Sequence, residues 1–135
     1  MTLKIEALSS VTDDGKLNQE WMLLVNEGER PVNLEGCSIA VSRSGQAKPR
    51  VVTTLKAGLI VQPAERCRVI TGSSGRSSHG EAAVEEGVRN FHLFLKAAYL
   101  DRPHLTVKLM NRQHALCHAV FDPQAPKNIA PEQGE

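Results

Sequence analysis

The sequence predicts an all-β protein, an antiparallel β-sandwich of about eight strands. Three observations carry that expectation. Apolar residues recur at a period of two in short stretches along most of residues 3–121. Turn-forming Gly, Pro, Asn and Asp separate those stretches, and no stretch carries a convincing long helical period. Trp21, Leu23 and Val25 share one face of a segment whose other face is Met22 and Leu24. A strand apolar on both faces belongs in the middle of a sheet covered on both sides.

The first strand is signalled by Leu3, Ile5 and Ala7 alternating with Lys4 and Glu6, which leaves it one wet face and the character of a sheet edge. A turn at 13–16 leads into the Trp21 strand, whose Trp21–Leu23–Val25 row is expected to anchor the core. After a polar turn at 26–31, Val32 and Leu34 resume the alternation. Gly36 breaks it, and Cys37, Ile39 and Val41 form another inward row. A basic loop at 42–50 precedes a β-branched strand at 51–55, and 59–61 extends a further one. In 66–71, Cys67 and Val69 point inward and Arg66 and Arg68 outward. Residues 72–90 carry no strand signal and read as a long loop or short helix, unusual inside a compact sandwich. A strand follows at 91–96, with Phe91, Leu93 and Leu95 on one face and Phe94 on the other. Leu105, Val107 and Leu109 lead through a turn into 114–121, whose inward row is Ala115, Cys117, Ala119 and Phe121. The domain is expected to span 1–121. The tail, 122–135, has three prolines and no apolar period and is expected to be disordered.

Composition narrows the functional classes. A chain of 135 residues is one domain long, and 41% apolar content suffices for a core. A net charge of +1 exerts no global pull on nucleic acid or acidic membranes, and 4% aromatic content argues against stacking platforms for single strands or sugars. No apolar run approaches the ~20 residues of a membrane helix. The N-terminus has no apolar signal segment, so a cytoplasmic setting is expected. There Cys37, Cys67 and Cys117 suit free buried thiols better than a Cys37–Cys67 bridge.

The stretch 20–41 resembles the opening of a lamin-tail domain, an immunoglobulin-like β-sandwich. The matching elements are Glu20-Trp21, Leu23, Val25-Asn26, the Val32-Asn33-Leu34-Glu35-Gly36 step and Cys37-Ser38-Ile39. Leu59, the turn Pro63-Ala64-Glu65, the strand after it and the closing pair 106–109 and 115–121 extend the resemblance. Cys37 stands where an aromatic is usual and Ala64 where Gly is usual. The resemblance implies a non-enzymatic role in protein association, in some members with nucleic-acid contact.

Several side-chain groupings invite chemistry. His114 and His118 flank Cys117, but on a strand four residues span ~13 Å, too far for two ligands of one ion, so no metal is expected. Ser73, Ser74, Ser77 and Ser78 with His79 lack the GxSxG turn and an orienting acid, so no catalytic residues and no cofactor are assigned. An enzyme site in the 71–90 loop would need an ordered pocket around His79 and His92. Arg43, Lys48, Arg50, Lys56, Arg66 and Arg68, in basic loops 43–56 and 66–76, offer a nucleic-acid-binding alternative. The favoured reading is a binding or assembly module, joining a protein partner or a second copy as a homodimer. Its contacts are expected at Arg76, His79, Glu81, Val84, Glu85, Val88 and Arg89, where both charge signs mix with apolar side chains.

Overall fold

The computed structural model describes residues 3–10, 15–43, 48–56, 58–75, 77–112 and 114–131. Asp13, Asp14 and Arg76, residues 44–47 of the basic loop, and 132–135 of the expected tail lie outside the described residues. The strands are β1 (Leu3–Ser9), β2 (Trp21–Asn26), β3 (Val32–Asn33), β4 (Ser38–Ser42), β5 (Arg50–Thr54), β6 (Ile60–Val61), β7 (Arg66–Ile70), β8 (Val88–His92), β9 (Thr106–Asn111) and β10 (His114–Val120). They form one sheet in the order β1-β2-β7-β8 and a second in the order β10-β9-β4-β5, with β3 and β6 as a separate short ladder. This is the expected all-β sandwich. The count exceeds eight because β3 and β6 are two-residue pieces.

β2 is interior to its sheet and buried on both faces, as its double apolar row requires. Its core row, however, is Met22 and Leu24, which join Cys67 and Val69 against Ile39, Val41, Val107 and Leu109 of the second sheet. The row expected to anchor the core faces the other way. Leu23 and Val25 are buried there, and Trp21 is half-buried beneath the Arg68 guanidinium, which lies 4.6 Å from the indole centroid. A period of two separates two faces but does not say which meets the core. Gly36 adopts φ +82° where the chain passes between sheets, and its N–H donates to the Leu55 carbonyl (2.8 Å).

The purely antiparallel expectation needs one correction: β7 and β8 run parallel, with Arg66 opposite Val88 and Ile70 opposite His92. A parallel neighbour must start at the same end, so the chain has to recross the length of the sheet. Residues 71–75 and 77–87 belong to that crossing, and Ala83 and Glu85 meet Arg68 on the Trp21 face. Topology therefore accounts for the segment's length without a functional loop. The following strand also begins at Val88 and ends at His92, instead of spanning 91–96. Phe94 takes φ 57°, and Leu93 and Leu95 donate to the Ile70 and Thr71 carbonyls (2.7 and 2.8 Å) as the chain leaves the sheet.

β1 and β10 are edge strands that pack near each other across the sandwich. A bulge between Ala115 and Cys117 shifts the β10 rows, so Leu116 packs on the core while Ala115 is exposed. The expected disordered tail from 122 is corrected for 122–131. Phe121 bridges to Ile129, Ala130 donates to the Val120 carbonyl (3.0 Å), and Asn128 Nδ2 donates to the Leu8 carbonyl (2.9 Å). Those bonds and Ile129 packing on the core offset the ordering entropy that proline content alone does not.

Candidate functional site

The residues first expected to bind a partner, Arg76 excepted, are divided between the crossover and β8. The crossover is built around Asn18, which is buried and whose Nδ2 donates to the carbonyls of Ser73 (3.0 Å) and Gly80 (2.7 Å). Gly72 lies against it so closely that an added Cβ would fall 2.4 Å from Asn18 Oδ1. His79 turns into the same turn, its Nδ1 accepting the Ser73 backbone N–H (2.9 Å) instead of a serine hydroxyl. Glu81 and Val84 are exposed, Val84 by 92%. Glu85 is used internally, pairing with Arg68 (2.8 Å). Val88 is a β8 residue. Arg89, also on β8, pairs with Glu65 (2.9 Å) and donates to the Ile60 carbonyl.

The six cations of the nucleic-acid alternative divide. Arg68 is 4% exposed, held by Glu85, the Ala83 carbonyl and Trp21. Arg66 pairs with Glu6 (2.7 Å), and that hydrogen bond holds the Glu6 carboxyl below its usual range. Arg68 is thereby withdrawn from the surface, while Arg66 stays exposed but paired. Lys56 lies apart, on the open side described below. Arg43, Lys48 and Arg50 converge on a recess of about 690 Å³ at the end of the second sheet, with Arg102 on the opposite wall.

That opposite wall is fixed by a residue the sequence reading did not single out. Glu20 is fully buried beside Trp21. Its carboxylate accepts the Thr71 hydroxyl (2.7 Å) and the backbone N–H groups of Tyr99 (3.1 Å) and Leu100 (3.0 Å). Burial raises its pKa above the ordinary 4.5, against the lowering effect of those donors. The signal was present as an acidic residue next to an apolar strand, but its donors come from residues far along the chain.

The open side was also missed. Among the described residues β5 and β8 are the other outer strands of the two four-stranded sheets, and between them runs a groove of about 370 Å³. Phe91, Leu93 and Phe94 supply its apolar surface. Thr53, Thr54, Lys56 and His92 supply its polar surface. Phe94 is 61% exposed and Val51, on β5, 60%. A β-branched pair in 51–52 and an apolar run in 91–95 were readable. That they lie side by side was not.

Cys37, Cys67 and Cys117 are free thiols. Burial pushes Cys67 up to about 11 and Cys117 up to about 12, and raises Cys37, which favours the neutral thiol at all three. His114 and His118 lie on β10 as expected, and no cluster of three metal-ligating side chains occurs among the described residues. Among the described residues no helix is long and apolar enough to cross a membrane. Comparison with protein-family models and with curated proteins finds no match for this chain.

Proposed function

We propose that this chain is a non-enzymatic association module of the lamin-tail type, which binds an extended segment of another protein along its open side. The single observation that carries the reading is the pair of unpartnered edges, β5 and β8, facing one groove. Free backbone N–H and C=O groups on an edge strand give affinity to an added strand, and a neighbouring apolar groove gives it register. The occupant's chemistry follows from the lining. Phe91, Leu93 and Phe94 suit alternate aliphatic or aromatic residues. Lys56 and His92 with two threonine hydroxyls, and no carboxylate, suit acidic or polar residues between them. The resemblance of 20–41 to a lamin-tail opening, with Gly36 turning the chain between sheets, supports the same class.

This moves the association surface from the crossover to the opposite edge of β8. The test is selection of displayed random peptides on the purified chain, followed by hydrogen exchange of the complex. Expected are peptides with alternating apolar residues that slow exchange at Arg50–Thr54 or Val88–His92 amides. The Phe94→Asp variant should lose them while melting as the parent does. Selected peptides that protect only the crossover, or bind Phe94→Asp equally well, overturn the proposal.

A further inference from the structure

The recess lined by residues of 41–43, 48–50 and 98–105 is separate from the open-side groove, and what it binds does not depend on the association reading. Val41, Leu105 and Ala98 form its apolar part, the first two buried in the domain. Arg43, Lys48 and Arg50 stand around it on one side, all exposed. None of the three has an ion pair among the described residues. On the far side Arg102 lies 3.5 Å from Asp101, the recess's one carboxylate, which leaves a net positive lining.

The like charges of Arg43, Lys48 and Arg50 repel each other, and among the described residues none of the three is paired with a carboxylate. Elsewhere Arg66, Arg68 and Arg89 each meet a glutamate. The far wall is also rigidly placed, because Glu20 grips the Tyr99 and Leu100 amides immediately before Asp101 and Arg102. A volume of about 690 Å³ lies within the range of small-molecule sites. We propose that this recess binds a compact organic phosphate, its phosphates among Arg43, Lys48 and Arg50 and its organic part toward Ala98. Arginine forks match phosphate oxygens two at a time, and the lysine adds a point charge.

The test uses the full chain at low salt and four probes: pyrophosphate, ADP, adenosine and sulfate, followed by titration calorimetry. Saturable one-to-one binding of pyrophosphate is expected, at about 1 mM or tighter. ADP should bind at least as well, with adenosine and sulfate much weaker. Added salt should weaken binding, because exposed charges are screened. Arg50→Gln should lose about tenfold, the usual scale for one charge-assisted bond, and Arg43→Gln combined with Lys48→Gln should abolish binding. Lys56→Gln, outside the recess, should bind as the parent does. Thermal melting checks that each variant folds. Absence of saturable pyrophosphate binding overturns the proposal, as does equal binding by the folded Arg50→Gln chain. Adenosine binding as tightly as ADP would also overturn it, since phosphate would then not be what is recognised.

Discussion

Along one side of the sandwich β1 and β10 pack near each other, and residues 122–131 cross the seam. Along the other side β5 and β8 end the sheets with a groove between them. The closed-side strands are seven residues long and the open-side strands five. A further difference between the two sides is whether a later piece of chain comes back to use the edge. On the closed side Asn128 takes the Leu8 carbonyl and Ile129 bridges Phe121. On the open side the crossover that creates β8 approaches it from β7, so the outer edge of β8 stays uncovered. An uncovered edge next to apolar side chains is costly to keep soluble unless something selects its partner.

The largest effect should come from the closed side. Phe121 is 3% exposed, its N–H donates to Leu105 (2.8 Å), and it holds the seam between β10 and the returning chain. Phe121→Ala should cost about 3–5 kcal/mol in urea unfolding. Phe94→Ala, the same deletion at an exposed position on the open side, should cost well under about 1 kcal/mol. Equal losses would mean that the two sides are packed alike.

Next is truncation before Pro126. It removes the Asn128 bond and the Ile129 packing, together about 2–3 kcal/mol, and opens the β1 and β10 edges. Beyond the lower melting temperature, the truncated chain should self-associate in sedimentation at concentrations where the parent is monodisperse. A truncated chain as stable as its parent would show that the return is only decoration.

Why the closure was not legible, and the architecture was, comes down to range. Alternation in Leu3–Ala7, the double row of β2 and the Leu105–Leu109 period are local, and each strand formed close to where its pattern lay. The parallel β7–β8 pair was not local. Residues 71–87 look like an excursion in sequence, and only the register of Arg66 with Val88 shows them to be a crossover. Proline-rich 122–131 looks unfoldable alone and folds because β1 offers a carbonyl. Arg68 reads as an exposed strand cation, and is buried because Trp21 and Glu85 arrive on either side. Of the sites, Arg43, Lys48 and Arg50 were legible as a cluster. Their separation from Arg66 and Arg68 was not.

A smaller effect tests the joint between the two sides. Glu20 fastens the segment that leaves β8 and reaches β9, so it steadies the open side and leaves the closed seam alone. Its folded pKa is raised above 4.5 by burial, so the folded chain holds this proton more tightly than the unfolded chain. The stability this confers is full below 4.5 and is lost as pH rises through the folded titration. Glu6, lowered by Arg66, acts oppositely, and its contribution is lost as pH falls through its folded pKa. Glu20→Gln should lose about 1–2 kcal/mol, since the amide NH₂ opposes a backbone donor, and should abolish the decline on the alkaline side of 4.5. Corrected for the intrinsic rise of amide exchange with pH, the Tyr99 and Leu100 amides should lose protection as pH rises in the parent, while the Phe121 amide keeps its own. Unchanged pH dependence in Glu20→Gln would assign the decline to another group.

The smallest change in stability should come with a large change in behaviour. Val51 lies on β5, opposite Ala40 of β4, and is 60% exposed with no further strand beyond it. A charge on an edge strand costs little when the side chain already meets water, so Val51→Lys should shift unfolding by less than about 0.5 kcal/mol. The same charge opposes an incoming strand, because a lysine facing the new ladder must either desolvate or hold the strand away. Peptides that protect Arg50–Thr54 in the parent should therefore fail to protect it in Val51→Lys. Lys4, on the closed-side edge strand β1, already carries such a charge. Lys4→Val should accordingly leave peptide binding unchanged, since β10 and the returning chain pack around β1. If Val51→Lys binds strand-forming peptides as the parent does while Lys4→Val gains new ones, the accessible edge is β1, and the contrast between the two sides is the reverse of the one drawn from the topology.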